Sequence, residues 1–221
     1  MADADASIVP FLDGERTPAD LIQLACALHA SDASFAEIRD VISWFGVDRS
    51  RPAIRNWWQS FADSHEQTFT AEPDRVAVDE KQVQLAEERD VWLYAAIVID
   101  SKVVLHARLS ETRGTDPATS FLHELQEKHR VEEAEFLVDG MGYLTALAKT
   151  DLSGHLDYTD RNIVEKLFQT FTMRIGRFYE NWNGSQPSAE RWLTAYVYYY
   201  NHLRSHQALD NQPPVEAAGL S

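Results

Sequence analysis

The stretch RVAVDEKQV, residues 75–83, decides the fold. It alternates as a strand entering a core does, yet Asp79 stands in the middle of it. A carboxylate in that setting costs several kcal/mol unless it is compensated. Three compensations are open on the residues alone: a salt bridge, an exposed face, or a bound metal.

Downstream, VWLYAAIVID (91–100) reads as a nearly all-apolar strand, and KVVLHARLSE (102–111) follows after a tight turn. DPATSFLHELQEKH is helical, with Pro117 near its start. EFLVD (135–139) is a short buried strand ending in an acid, and Gly140 and Gly142 flank a turn before a short helix with Leu144 and Leu147. HLDY (155–158) reads as a last short strand. Two helices close the pattern, RNIVEKLFQTFTMRIGRFYENW and SAERWLTAYVYYYNHL, the second with a packing stripe of Trp192, Tyr196, Tyr199 and Tyr200. Three antiparallel-type strands, then alternating helix and strand, then helices define a mixed α/β layer architecture.

Upstream, residues 1–13 read as a loose arm, and Thr17-Pro18-Ala19-Asp20 places a cap, a first-turn proline and an acid at a helix start running to about His29. Ser34-Phe-Ala-Glu37 is a capping box, followed by Ile38, Val41, Ile42 and Phe45 at helical spacing and ended by Gly46. Ser50 with Pro52 starts a third helix carrying Ile54, Trp57, Trp58 and Phe61. Helix, short turn, helix fits a helix-turn-helix or a plain three-helix bundle. Arg49, Arg51 and Arg55 at the start of the third helix favour the former, because that end of a recognition helix meets base edges. The chain thus divides into an arm (1–13), a helix-turn-helix domain (14–62), a linker (63–74) and an α/β domain (75–215).

The 221 residues, 44% of them hydrophobic, suffice for one full domain plus a small one. One cysteine, Cys26, excludes an internal disulfide framework and fits a reducing cytoplasm. There is no signal peptide and no apolar run of about 18 residues, which implies a soluble chain with no membrane partner. The net charge of −15 opposes phosphate contacts globally, but a local basic patch still binds. Such acidity also suits a protein working in high internal salt. No Gly-rich phosphate loop, zinc-type Cys/His set or nucleophile-elbow serine is present, and the eight histidines are scattered.

Three carboxylates stand out by position. Asp79 lies mid-strand, Asp139 ends the fourth strand where α/β sheets present ligand-binding groups, and Glu165 lies on a long helix among Ile163, Val164, Leu167 and Phe168. If the first and fourth strands are neighbours, both aspartates project from one sheet edge and the helix lays Glu165 across them. Three clustered carboxylates need cations, and hard oxygen donors suit Mg²⁺ or Mn²⁺. Two ions roughly 3.5–4 Å apart would activate a water or a 3′-hydroxyl. Among 35 acids, Asp100, Asp157 and Asp160 are rivals, and Glu80 competes with Asp79 for the inward position.

At these residues the sequence resembles a known family. VAVDEKQV, VWLYAAIVIDSKVVLHARLSETRGTDPATSFL, FLVDGMGYLTAL and RNIVEKLF resemble the catalytic core of DDE insertion-sequence transposases, which share the ribonuclease-H-like fold with retroviral integrases. The likeness spans about 34–215 and is to compact elements common in salt-loving archaea. It implies that Asp79, Asp139 and Glu165 are the catalytic, metal-bridging acids for two Mg²⁺ or Mn²⁺ ions. It places Arg161 and Asn162 beside the site on DNA. The tail YNHLRSHQALDNQPPVEA, with Tyr200, Asn201 and His206, matches the closing segment of integrase-type relatives. Two departures stand out: the segment 140–164 is short, and Thr172 holds the place where the family carries a base. Lys166, Arg174 and Arg177 are the nearest substitutes.

The resemblance implies a cytoplasmic, nucleoid-associated enzyme that cleaves and joins the terminal inverted repeats of an insertion sequence to target DNA, working as a homodimer or a larger synaptic complex. The alternative is a catalytically impaired or domesticated DNA-binding derivative.

Overall fold

The computed structural model describes residues 15–65, 69–85, 89–156, 165–169 and 186–220. Five strands form one sheet in the order β3-β2-β1-β4-β5. They are β1 (Arg75–Leu85), β2 (Arg89–Val98), β3 (Val104–Ser110), β4 (Glu135–Val138) and β5 (Ser153–Leu156). The first three pair antiparallel, and β4 runs parallel to both β1 and β5. Helices α4 (Thr115–Lys128) and α5 (Met141–Lys149) make the connections into β4 and β5.

Side chains alternate across a strand, so β1 feeds two cores. Val76 and Val78 join Tyr94, Ala96, Leu105, Phe121, Leu125 and Leu147 on the face covered by α4 and α5. Ala77 and Val83 join Leu93, Ala95 and Ile97 on the opposite face. There α6 (Gln186–Tyr198) supplies Trp192, Leu193 and Tyr196. The same core takes in Leu167 and Phe168, from helical residues 165–169. Burial on both faces explains why β2 is apolar without alternation.

Helices α1 (Ala19–Ala30), α2 (Phe35–Ser43) and α3 (Arg51–Ser64) complete that second core through Ile22, Ile38, Ile42, Trp57, Trp58 and Phe61. Phe61 meets the Tyr198 ring edge-on at 5.7 Å, and Asp63 pairs with Arg191 at 3.5 Å, so α3 lies against α6. The Ser34–Glu37 capping box forms as expected, and Ser50 caps α3 by accepting from the Ala53 N–H. The start of α1 differs from the expectation: Pro18 takes the N-cap position and Thr17 does not cap. The Thr17 hydroxyl instead donates to Glu15 Oε1 at 2.9 Å, a local carboxylate that outcompetes the helix amides. The expected arm (1–13) lies outside the described residues.

The outer edge of the sheet is closed by a side chain. Asn201 is fully buried in a π-helical turn, Tyr199–Leu203, that continues α6. Its Oδ1 accepts from the Val104 N–H at 2.9 Å and its Nδ2 donates to the Val104 carbonyl at 2.8 Å. One amide thereby imitates a neighbouring strand at the edge residue and blocks edge pairing there. At the opposite edge Gly154 lets β5 approach β4: a Cβ there would lie 2.5 Å from the Phe136 carbonyl oxygen.

Two substitutions test these closures by urea denaturation. Asn201→Ala is expected to lower stability by about 3 kcal/mol, since two buried hydrogen bonds to β3 are lost together. Gly154→Ala is expected to cost about 2 kcal/mol or more, because the obstacle is the backbone of the paired strand β4 and cannot swing aside.

Candidate active site

The β1–β4 ladder pairs Arg75 with Glu135, Val76 with Phe136 and Ala77 with Leu137. The same offset carried two residues further sets Asp79 beside Asp139, where β4 has ended. The sheet therefore delivers two carboxylates to one point, as the sequence leads one to expect of neighbouring first and fourth strands. The third member of the group is Glu80. Ligand oxygens of Asp79, Glu80 and Asp139 all lie within 4.8 Å of one another, and all three residues are partly buried.

Asp79 and Glu80 are successive strand residues that leave the backbone on opposite faces. Asp79 shares the α6 face with Ala77, and Glu80 shares the α4–α5 face with Val78. Asp79 bends back, its Oδ1 accepting the Glu80 N–H at 2.8 Å. The Glu80 side chain is enclosed, only 6% exposed. Its Oε1 accepts from Arg113 Nε at 2.6 Å, while Oε2 is buried with no hydrogen-bond partner.

Two tyrosines roof this face. Tyr94, opposite Glu80 in the β1–β2 register, and Tyr143 of α5 meet edge-on at 6.4 Å. The Tyr143 hydroxyl is buried next to the Glu80 carboxylate. Burial first, and then the adjacent Glu80 and Asp79 charges, push its pKa well above the ordinary tyrosine value, so it stays a neutral phenol. Arg113 has its own pKa raised by the Glu80 contact first and by Asp139 in addition.

Three carboxylates this close repel unless they share a proton or bind a cation. Their donor set is all hard oxygen, and the unpartnered Oε2 of Glu80 leaves acceptor capacity unused inside the cluster. The residues present therefore fit Mg²⁺ or Mn²⁺.

The other expected site residues fall as follows. Glu165 is exposed on helical residues 165–169 and is not a member of the 4.8 Å group. Lys166 is exposed beside it. Arg161, Asn162, Thr172, Arg174 and Arg177 lie outside the described residues, as do the rivals Asp157 and Asp160. Asp100 is exposed in the β2–β3 turn. Arg51 and Arg55 are exposed one turn apart on α3. Arg49 is half-buried and pairs at 3.6 Å with Glu15. The Trp57 indole donates to Glu15 at 2.8 Å, and this hydrogen bond, ahead of those from Thr17 and Arg16, lowers the Glu15 pKa to about 2.

Arg113 and Tyr143 escaped the sequence reading. The only signal for Arg113 was a lone base in the polar turn Glu111-Thr-Arg-Gly114, and Tyr143 sat where a turn flanked by Gly140 and Gly142 leads into a short helix.

The fold is that of an integrase catalytic core, the ribonuclease-H-like mixed sheet flanked by helices. Two solved structures carry the likeness. The catalytic core domain of HTLV-2 integrase, in complex with magnesium and in trimeric form, matches with a TM-score of 0.50 at 8% identity, over 67% of this chain and 98% of that one. The simian T-cell lymphotropic virus intasome in complex with the PP2A regulatory subunit B56 gamma matches at 0.53 and 11% identity, over 87% of this chain and 71% of that one. No protein-family model matches the sequence, and no curated protein matches it. No helix among the described residues is long and apolar enough to cross a membrane.

Metal binding is directly measurable here. Mn²⁺ at a hundredfold excess over its Kd is expected to stabilise the protein by about 2.7 kcal/mol, read as a rise in Tm. Asp79→Asn and Asp139→Asn should each abolish the rise. A Tm insensitive to Mn²⁺ and Mg²⁺ in the unaltered protein would leave the cluster without a metal role.

Proposed function

We propose that the chain is a metal-dependent polynucleotidyl transferase, and more particularly a DDE transposase that cleaves and joins the ends of an insertion sequence. The observation that carries this reading is the meeting of Asp79 and Asp139 across β1 and β4 on an integrase-core sheet. Fold alone does not define chemistry, so the weight rests on that pair of carboxylates.

Asp79, Asp139 and Glu165 are the metal-holding acids in this reading, with Glu80 beside them. Glu165 is supported by its layer: residues 165–169 pack Leu167 and Phe168 into the core on the sheet face that Asp79 shares. Divalent cations held there supply Lewis acidity toward a phosphodiester and lower the pKa of a water or a 3′-hydroxyl. The protein's own part is to fix the acids on rigid strands, to exclude bulk water with the Tyr94–Tyr143 roof, and to hold DNA. Helices α1–α3, with Arg51 and Arg55 exposed at the start of α3 and Arg49 beside them, serve as the end-binding unit. Lys166, Arg161, Asn162, Arg174 and Arg177 are the further DNA-binding residues of this reading. The assembly is a homodimer or a larger synaptic complex, acting on terminal inverted repeats and target DNA in the cytoplasm. The acidic surface suits work in high salt of the kind found in halophilic archaea.

A second reading, a DNA-binding derivative with an impaired core, is favoured by one observation: Thr172 stands where relatives of the resembled family carry a base.

A strand-transfer assay at high KCl decides between them, using oligonucleotides matching the sequences flanking the gene and either Mg²⁺ or Mn²⁺. Joined product is expected from the unaltered protein, with Asp139→Asn slower by roughly a thousandfold, or about 4 kcal/mol of barrier. DNA retention without joining by either protein would support the impaired derivative instead.

A further inference from the structure

Arg113 lies in the turn between β3 and α4, and the polar network around it is more elaborate than an ordinary surface base receives. Its Nε donates to Glu80 at 2.6 Å and its guanidinium carbon lies 4.8 Å from the centre of the Trp92 ring. A carboxylate on one side and an aromatic face on the other fix the plane of the fork. The backbone that delivers it is fixed too. Gly114 has φ +130°, a conformation that side-chain-bearing residues rarely adopt, and its N–H donates to the Tyr94 hydroxyl at 3.3 Å.

The ion pair uses the guanidinium sparingly. An arginine serving only to neutralise a buried carboxylate would meet it with two parallel N–H groups. Here a single Nε donates to the carboxylate, and neither Nη nitrogen makes a hydrogen bond among the described residues. Glu80 is 6% exposed while Arg113 is 58% exposed, so the anchor is inside and the donors face out.

The surroundings favour an anion. Helix α4 starts two residues after Arg113 and α5 two residues after Asp139, each behind a glycine N-cap, and neither has a side-chain cap on its first-turn amides. The two starts adjoin: Thr115 Oγ1 lies 3.7 Å from the point where a Cβ on Gly142 would stand. Uncapped N-termini and a guanidinium fork add positive potential on one side of the acid cluster.

We propose that Arg113 is a phosphate-binding residue of the candidate active site, held by Glu80 and Trp92 so that its Nη groups grip a non-bridging oxygen of the DNA backbone at the rim of the acidic cluster. The inference rests on the reading that DNA is the substrate. It assigns Arg113 a positioning role: the arginine forms and breaks no covalent bond, and offsets the repulsion between phosphate and the carboxylates.

The experiment measures binding, apart from cleavage. Affinity for a duplex oligonucleotide is followed by fluorescence anisotropy across a KCl series, with Ca²⁺ as the divalent ion. Arg113→Gln is expected to weaken binding about tenfold and to reduce the slope of log Kd against log[KCl] by about 0.9, the value for one lost phosphate contact. Arg113→Lys, which keeps the charge, should restore the slope. Because Arg113→Gln strips a buried carboxylate of its partner, a second measurement uses the unaltered protein. Phenylglyoxal should modify Arg113 in the free protein, and saturating duplex should protect it, as read by mass spectrometry. A wild-type slope in a folded Arg113→Gln, or no protection of Arg113, overturns the proposal. Wild-type cleavage with Arg113-independent binding sinks this inference alone. An Arg113-dependent slope without any cleavage sinks the transposase reading and keeps this one. Failure to bind DNA at all sinks both.

Discussion

Parallel pairing of β1 with β4 is the constraint on which the rest of the molecule depends. Parallel neighbours cannot be joined by a tight turn, so the chain must leave the sheet, build β2 and β3, and return through α4 before β4 can dock. The docking offset then determines where Asp139 falls relative to Asp79. A slip of one residue would turn Phe136 out of its core and move the two aspartates apart together. Core packing and carboxylate geometry are thus set by the same register, and neither can drift without the other. The close approach of β5 at Gly154 presses on the far side of β4 and helps hold it there.

Glu80 shows how the site uses both faces of one strand. The aspartate side chain is short and stays near the strand, whereas the glutamate is long enough to return its carboxylate toward the same point from the other face. The enclosed position would be very costly for an unpaired charge. Arg113 supplies the charge partner, and Tyr94 and Tyr143 supply a dry wall that strengthens the attraction. The roof residues are neutral phenols, so they shape the cavity and add no further negative charge to three crowded acids.

Legibility from the sequence followed the range of the interactions involved. The capping box at Ser34 and the all-apolar β2 are local facts, visible in a few consecutive residues. Asp79 and Asp139 were visible as well, because an acid within or at the end of an apolar strand is anomalous wherever the strand goes. The Glu80–Arg113 pair was not, since it joins β1 to a turn reached only after two more strands. Nor was the Asn201 clamp on Val104, whose partners are far apart in the chain and whose amide looks like any surface asparagine until the edge strand is placed. At α1 a local signal misled: Thr17 and Pro18 have the composition of a helix start, but Glu15, two residues earlier, captured the threonine hydroxyl.

The closure of the sheet edge and the placement of the N-terminal helices turn out to be one arrangement. Asn201 ties the end of α6 to Val104, and Tyr198, three residues earlier on the same helical rod, meets Phe61 of α3. A helix fixed at one end by two hydrogen bonds to the sheet gives α3 a rigid surface on which to pack. The arginines at the far end of α3 are then held at a set position relative to the acids, with no flexible hinge needed among the elements that connect them. In the DNA-joining reading proposed above, this packing would fix the spacing between Arg51 and Arg55 on α3 and the acid cluster before any DNA arrives.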